Sequence, residues 1–234
     1  MTRPASGRAQ AVVAGARRPE YAFGLVLGFI LVALTFQVAA PEAEWSRFVT
    51  LVMHGGVLMT ALLAAHAHPT LTRVAGVAIV LALVVSGIAL IGPGEVNEVA
   101  AGIVNLMFIG LTPVILARGL LRDLRDERQV TVRTMFGVLC IYLLVGSFFA
   151  FVFGVIEAVG DTQFFARVAD PDASDFLYFS FATLTTVGYG DLTTTNELGR
   201  SLAIMEALIG QIYLVTVVAL IVSNIGRRPR SSGS

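Results

Sequence analysis

The sequence has no lysine, one cysteine and one tryptophan, and only 14% of its 234 residues are charged. Soluble domains carry roughly 25% charged residues, so an ordinary soluble globule is excluded. Cys140 stands alone, which rules out an intrachain disulfide, and it reads as a small buried hydrophobe. All 16 basic residues are arginine and they balance 16 acids, so net charge offers no reason to expect nucleic acid as a partner. No nucleophile, base and orienting acid fall into a recognisable pattern, and there is no nucleotide-binding loop, so the chain does not read as an enzyme and calls for no cofactor. His66 and His68 lack a third ligand nearby for a metal site. Arginine without lysine suggests a bacterial gene of high GC content.

What is abundant is apolar sequence, at 56% of the chain. Runs of about 17 to 25 apolar residues cross the hydrocarbon as helices, and such runs lie near 22–40, 48–66, 74–91, 99–117, 134–156 and 202–225. A further stretch, 176–187, is too short to cross and ends in a glycine-rich turn. It reads as a re-entrant segment shielded by protein rather than lipid. Arg17 and Arg18 before the first run, with Val38-Ala39-Ala40 at its end, imitate a signal peptide. The run is longer than a signal core, and Pro41 follows the would-be cut, so it reads as a retained span.

Cytoplasmic loops carry an excess of positive charge. With both termini inside, Arg3, Arg8, Arg17, Arg18, Arg73, Arg118, Arg122, Arg125, Arg128, Arg133, Arg227, Arg228 and Arg230 are cytoplasmic, and only Arg47, Arg167 and Arg200 lie outside. Acids run the other way, Glu157, Asp161, Asp170, Asp172, Asp175 and Asp191 among them, which would draw cations to the outer face. The expected location is the cell (plasma or inner) membrane, because no organelle signal is found.

Between the fifth and sixth runs lies Asp172-Ala173-Ser174-Asp175, then an apolar stretch, then Thr185-Thr186-Val187-Gly188-Tyr189-Gly190-Asp191. Asp172 or Ser174 can cap a helix of about three turns, whose carbonyl end favours a cation. Gly188 and Gly190 reach backbone angles closed to other residues, so that successive carbonyls can face one way. Thr186-Val187-Gly188-Tyr189-Gly190 is the selectivity-filter sequence of potassium channels, and by it the chain resembles tetrameric potassium channels of the six-transmembrane prokaryotic type. The resemblance implies that the carbonyls of Thr186, Val187, Gly188 and Tyr189, with the Thr186 hydroxyl, coordinate K⁺. It places Thr185 in support, turns the Tyr189 ring toward the preceding helix near Tyr178 and Phe179, and sets Asp191 at the outer mouth. Such a filter needs four segments and this chain has one, so it implies a homotetramer of single-filter subunits.

The resemblance continues through the sixth run, over 134–228. Gly210 falls at the position of an inner-helix hinge, or serves only to let helices approach. Leu214, Val218 and Val222 share one face and would line a cavity with Val222 nearest the exit, where a hydrophobic ring can gate by dewetting. Val217-Val218-Ala219 replaces the Pro-Val-Pro of voltage-gated relatives. Glu206 lies inside this span, with Thr183, Ser180 or Tyr213 as possible partners. An ionisable residue there is either a proton sensor or a brace behind the filter.

A voltage sensor needs basic residues inside a membrane helix, and 99–117 has none. Arg118, Arg122, Arg125 and Arg128 interleave with Asp123, Asp126 and Glu127. They read as a cytoplasmic linker helix with same-helix ion pairs and contact to anionic lipid. The expected organisation is a tail (1–21), a non-voltage-sensing four-helix module (22–117), the linker helix (118–133), a pore domain (134–225) and a second tail (226–234), all-α and integral to the membrane. Tails of this length leave no room for a ligand-binding domain. The expected function is passive, selective K⁺ conduction.

Overall fold

The computed structural model describes residues 22–41, 43–91, 98–127 and 131–225. They form seven α-helices: α1 (Ala22–Ala39), α2 (Glu44–Ala64), α3 (Pro69–Ile91), α4 (Glu98–Glu127), α5 (Val132–Val159), α6 (Ala173–Leu184) and α7 (Glu197–Ile225). Among the described residues six helices are long and apolar enough to cross a membrane, all but α6, and the chain is a multi-pass membrane protein. The two tails, Glu42, Glu95, Asn97 and Arg128 lie outside the described residues.

Local chemistry sets the helix starts. The Thr131 hydroxyl accepts the Thr134 N–H at 3.3 Å and opens α5. At α6 it is Asp172, of the two candidate caps, that fills the role: its carboxylate accepts the Asp175 N–H at 2.9 Å, and the Asp175 carboxylate accepts the Asp172 N–H at 3.2 Å.

α5 is the central helix, with α1 and α4 packed on one side and α6 and α7 on the other. One core joins Phe23, Val26 and Ile30 of α1 to Ala61, Leu116, Cys140 and Leu144. A second joins α2, α3 and α4 through Leu58, Leu62, Ile79 and Phe108. Val77, Val80, Leu81, Val84 and Val85 leave α3 with a broad exposed apolar face, suited to lipid. Within the bundle His54 Nδ1 and Asn105 Oδ1 lie 2.9 Å apart, and the imidazole stands edge-on to Phe151 of α5 at 5.2 Å. Polar groups on membrane helices satisfy one another across helices in this way.

The arginine-rich end of the bundle is tied by Arg133. Its guanidinium is buried, pairs with Asp123 at 3.2 Å, donates to the Ala64 carbonyl at 3.1 Å and lies 4.9 Å above the Phe23 ring. One side chain thereby holds α1, the end of α2, α4 and α5 together. One sequence expectation is corrected here. Residues 118–127 are not a separate linker but the last turns of α4, because Gly119 packs against Ala65, with a Cβ there falling 2.9 Å from Ala65 Cα, and nothing breaks the helix. At 30 residues, α4 is about 45 Å long and outruns a hydrocarbon core of about 30 Å. Asp123 reaches across to Arg133 on the next helix, while Arg118, Arg122 and Arg125 are exposed.

Replacing Arg133 with Met removes the guanidinium that ties Asp123, the Ala64 carbonyl and the Phe23 ring together, at an expected cost of about 3 kcal/mol. Thermal unfolding in detergent should show a clear drop in Tm for Arg133→Met and a smaller one for Arg133→Lys. An unchanged Tm in both would mean that this junction does not hold the bundle.

Candidate functional site

α6 is 12 residues long and ends at Leu184. The chain then reverses by returning its N–H groups to the helix it has just left. Thr185 donates to Phe181 at 3.0 Å, Thr186 to Thr183 at 2.9 Å, and Val187 and Gly188 both to Ala182, at 2.9 and 3.1 Å. The Thr185 hydroxyl adds a bond to the Phe181 carbonyl at 2.6 Å. The donors of this turn are thus spent. Its acceptors are not: among the described residues no hydrogen bond ends on the carbonyls of Thr186, Val187, Gly188 or Tyr189. Positive φ recurs at every second residue, 60° at Thr186, 54° at Gly188 and 80° at Gly190. Such alternation lets successive peptide groups turn toward a common side, where an extended strand would alternate them. Gly188 and Gly190 take up this region without strain, and Thr186 adopts it with a Cβ.

Rings and one carboxylate position the far end of the turn. Tyr189 stacks on Tyr178, with centroids 6.1 Å apart and planes 8° from parallel, and the Tyr178 hydroxyl donates to Asp191 at 2.8 Å. That hydrogen bond lowers the Asp191 pKa below the ordinary carboxyl value. Phe179 turns away from Tyr189 into a cluster with Phe149, Phe153, Phe164, Phe165 and Phe176. On this cluster the chain before α6 pairs with the chain after the turn. Ala166 N–H donates to Thr193 at 2.9 Å, Thr195 N–H donates to Phe164 at 2.8 Å, and Phe164 N–H donates to the Glu157 carboxylate. Sequence reasoning did not find Glu157, Phe164, Phe165 or Thr195 in these roles. A signal was available, since nine of the 15 phenylalanines lie between 148 and 181.

Behind the turn runs α7. Gly210 sits where a Cβ would collide with the Leu184 carbonyl oxygen and lie 2.9 Å from Leu184 Cδ1, so this glycine serves close approach of α7 to the end of α6. The Tyr142 hydroxyl of α5 donates to the same Leu184 carbonyl at 3.3 Å, and Tyr142 stacks on Tyr213. Of the three partners considered for Glu206, Ser180 makes the contact, whereas the Tyr213 hydroxyl donates to Val138 at 2.6 Å. Leu214 and Val218 are exposed on α7; the Val222 side chain lies outside the described ones.

Thr185 to Asp191 are all exposed in the single chain, Tyr189 at 72%. The open edge consists of backbone oxygens, which are hard ligands suited to alkali and alkaline-earth cations. Among the described residues no group of three or more His, Cys, Asp or Glu side chains is placed to hold a metal ion.

Comparison with known proteins places this region. Residues 137–227 match the family model described as "Ion channel". Among curated proteins, "Two pore potassium channel a" of Oryza sativa subsp. japonica is 36% identical over 106 residues, which are 44% of this chain and 26% of the rice protein. The chain thus spans about a quarter of the length of the curated relative it matches. No solved structure matches.

Two outcomes follow from this geometry. Gly210→Ala should force α7 off the end of α6 and destabilise the protein by about 1–3 kcal/mol, seen as a lower Tm; a neutral result would mean that the close approach is not needed. Tyr178→Phe should return Asp191 to the ordinary carboxyl range. The stabilisation from this lowered pKa is present above the ordinary carboxyl value and is lost as pH falls through the lowered one. Carboxyl carbon NMR of labelled aspartate would read the change, and identical titration in wild type and variant would refute it.

Proposed function

We propose that the chain, whose residues 137–227 match the ion channel family model, conducts K⁺ selectively and passively across the membrane as a homotetramer. The observation that carries this reading is the run of unspent carbonyls from Thr186 to Tyr189, with φ alternating in sign, at the end of a helix too short to cross. Four such runs around one axis would replace the water shell of a dehydrated K⁺ with carbonyl oxygens and the Thr186 hydroxyl. α6 is then a re-entrant pore helix, and its carbonyl end adds partial negative charge beneath the ion path. Tyr178, Tyr189 and Asp191 hold the outer mouth, and Thr185 supports the base. The likeness to a potassium channel supports the choice of K⁺.

A tetramer also accounts for α7, which exposes Ile204, Leu208, Ile212, Leu214, Val215 and Val218 in the single chain. In the assembly part of this face meets neighbouring copies, and Leu214, Val218 and Val222 line the cavity below the filter. Charge asymmetry supports cytoplasmic termini and an outer face rich in acids. The first four helices, with no arginine over 99–117, form a scaffold rather than a charged voltage sensor. The exposed Arg118, Arg122 and Arg125 would then meet anionic lipid of the inner leaflet. The assembly belongs in a cell membrane of bacterial type.

The test is flux of K⁺ against Na⁺ from liposomes holding the purified full chain, with Ba²⁺ as blocker. Selective, Ba²⁺-sensitive K⁺ flux is expected, with its loss in Gly188→Asp. Equal Na⁺ and K⁺ flux, or flux untouched by Gly188→Asp, would overturn the reading.

A further inference from the structure

Glu206 and Ser180 are both completely buried. The Ser180 Oγ lies 2.7 Å from the Gly146 carbonyl oxygen of α5 and within hydrogen-bond distance of Glu206 Oε1 of α7. A hydroxyl has one hydrogen to give. Were the carboxyl ionised, Ser180 would face two acceptors with a single proton, and one of the two contacts would bring lone pairs together. Both contacts close only when the carboxyl itself carries a hydrogen, so that Glu206 donates to Ser180 and Ser180 donates to Gly146. The remaining carboxyl oxygen has no partner among the described residues, and an ionised carboxylate left so would be an uncompensated buried charge.

The elements packed around Glu206 offer no cation to offset such a charge. From α5 the titratable neighbours are Tyr142 and, beyond it, Cys140. The Tyr142 hydroxyl is engaged by Leu184, and the Cys140 thiol by Phe23. On α7 itself the Tyr213 hydroxyl is engaged by Val138, and Arg200 is exposed in the first turn of the helix, paired with Glu197. The acids of α6, Asp172 and Asp175, are occupied with each other's N–H groups at its first turn.

Displacement of α6 here would reach the conducting backbone at once. Ser180 lies one turn before Leu184, and Ala182 between them accepts the N–H groups of both Val187 and Gly188. We propose that Glu206 is a proton-operated latch behind the conducting turn: with its proton it ties α7 through Ser180 to α5 and keeps the turn in shape, and without it the tie opens and conduction falls. Glu206 is in this sense a positioning residue. The proposal rests on the reading of residues 186–190 as the K⁺ filter.

The test measures K⁺ and Na⁺ flux from liposomes of the full chain between about pH 6 and about pH 9 on both faces, because protein carboxyls titrate several units high in the extreme. Wild-type K⁺ flux is expected to fall as pH rises, by about tenfold per unit past the midpoint, following the protonated fraction. Glu206→Gln keeps a donor to Ser180 at every pH, and its K⁺ flux should stay selective and level across the range. Ser180→Ala breaks the tie and should conduct poorly throughout. A carboxylic acid C=O band in the infrared difference spectrum, present in wild type, absent in Glu206→Gln and titrating with the flux, supplies a readout that does not depend on conduction. Wild-type flux indifferent to pH, the same pH dependence in Glu206→Gln, or no such band overturns the latch. Absence of K⁺ flux from both proteins at every pH overturns the conduction reading, and the infrared band then still decides whether the proton is there.

Discussion

Every backbone polar group inside a membrane needs a partner, since lipid supplies none. Helices meet that need internally, and six of the seven described here do so across the whole thickness of a bilayer. The chain departs from the rule at Thr186 to Tyr189, whose carbonyls have no partner among the described residues. A membrane protein tolerates such a run only where protein or an ion takes the place of the missing donors. The rest of the structure is organised around keeping these four residues in a shape they would not hold alone.

The support comes from three directions. From above, the Phe164–Phe165 cluster and its pairing with Thr193–Thr195 fasten the chain on either side of α6. From the side, Tyr178 joins the ring of Tyr189 to the carboxylate of Asp191. From behind, Gly210 brings α7 against Leu184, and Glu206 meets Ser180. Aromatic pairs add about 0.5–1.5 kcal/mol each beyond the area they bury, so a cluster of six rings makes a stiff mount for an otherwise unpaired loop.

At the other end of the bundle the Arg133 junction joins α1, α2 and α4 to the start of α5. A buried guanidinium that serves α1, α2, α4 and α5 at once makes these helices one body with the fifth. This suits a scaffold better than a moving sensor, and it agrees with the absence of arginine over 99–117.

The spans, the short helix and the turn were legible in the sequence because they depend on local properties: apolar length, a cap at Asp172, and glycines at alternate positions. So was the charge asymmetry of the loops. The end of α4 was misread, because mixed charge and a glycine at 119 look like a boundary until Ala65 is seen packed against that glycine. The pair of Asp123 with Arg133 was likewise not legible, because the two residues are close in sequence but lie on different helices. By itself the sequence determined the membrane class, the number of crossings and the candidate conducting segment, since each follows from composition and spacing along one stretch of chain. Only the tertiary structure decided which hydroxyl meets Glu206, why position 210 is glycine and which phenylalanines brace the turn, because Glu206 meets Ser180 and Gly210 meets Leu184 across 26 positions each, and only packing determines which of many possible partners is met.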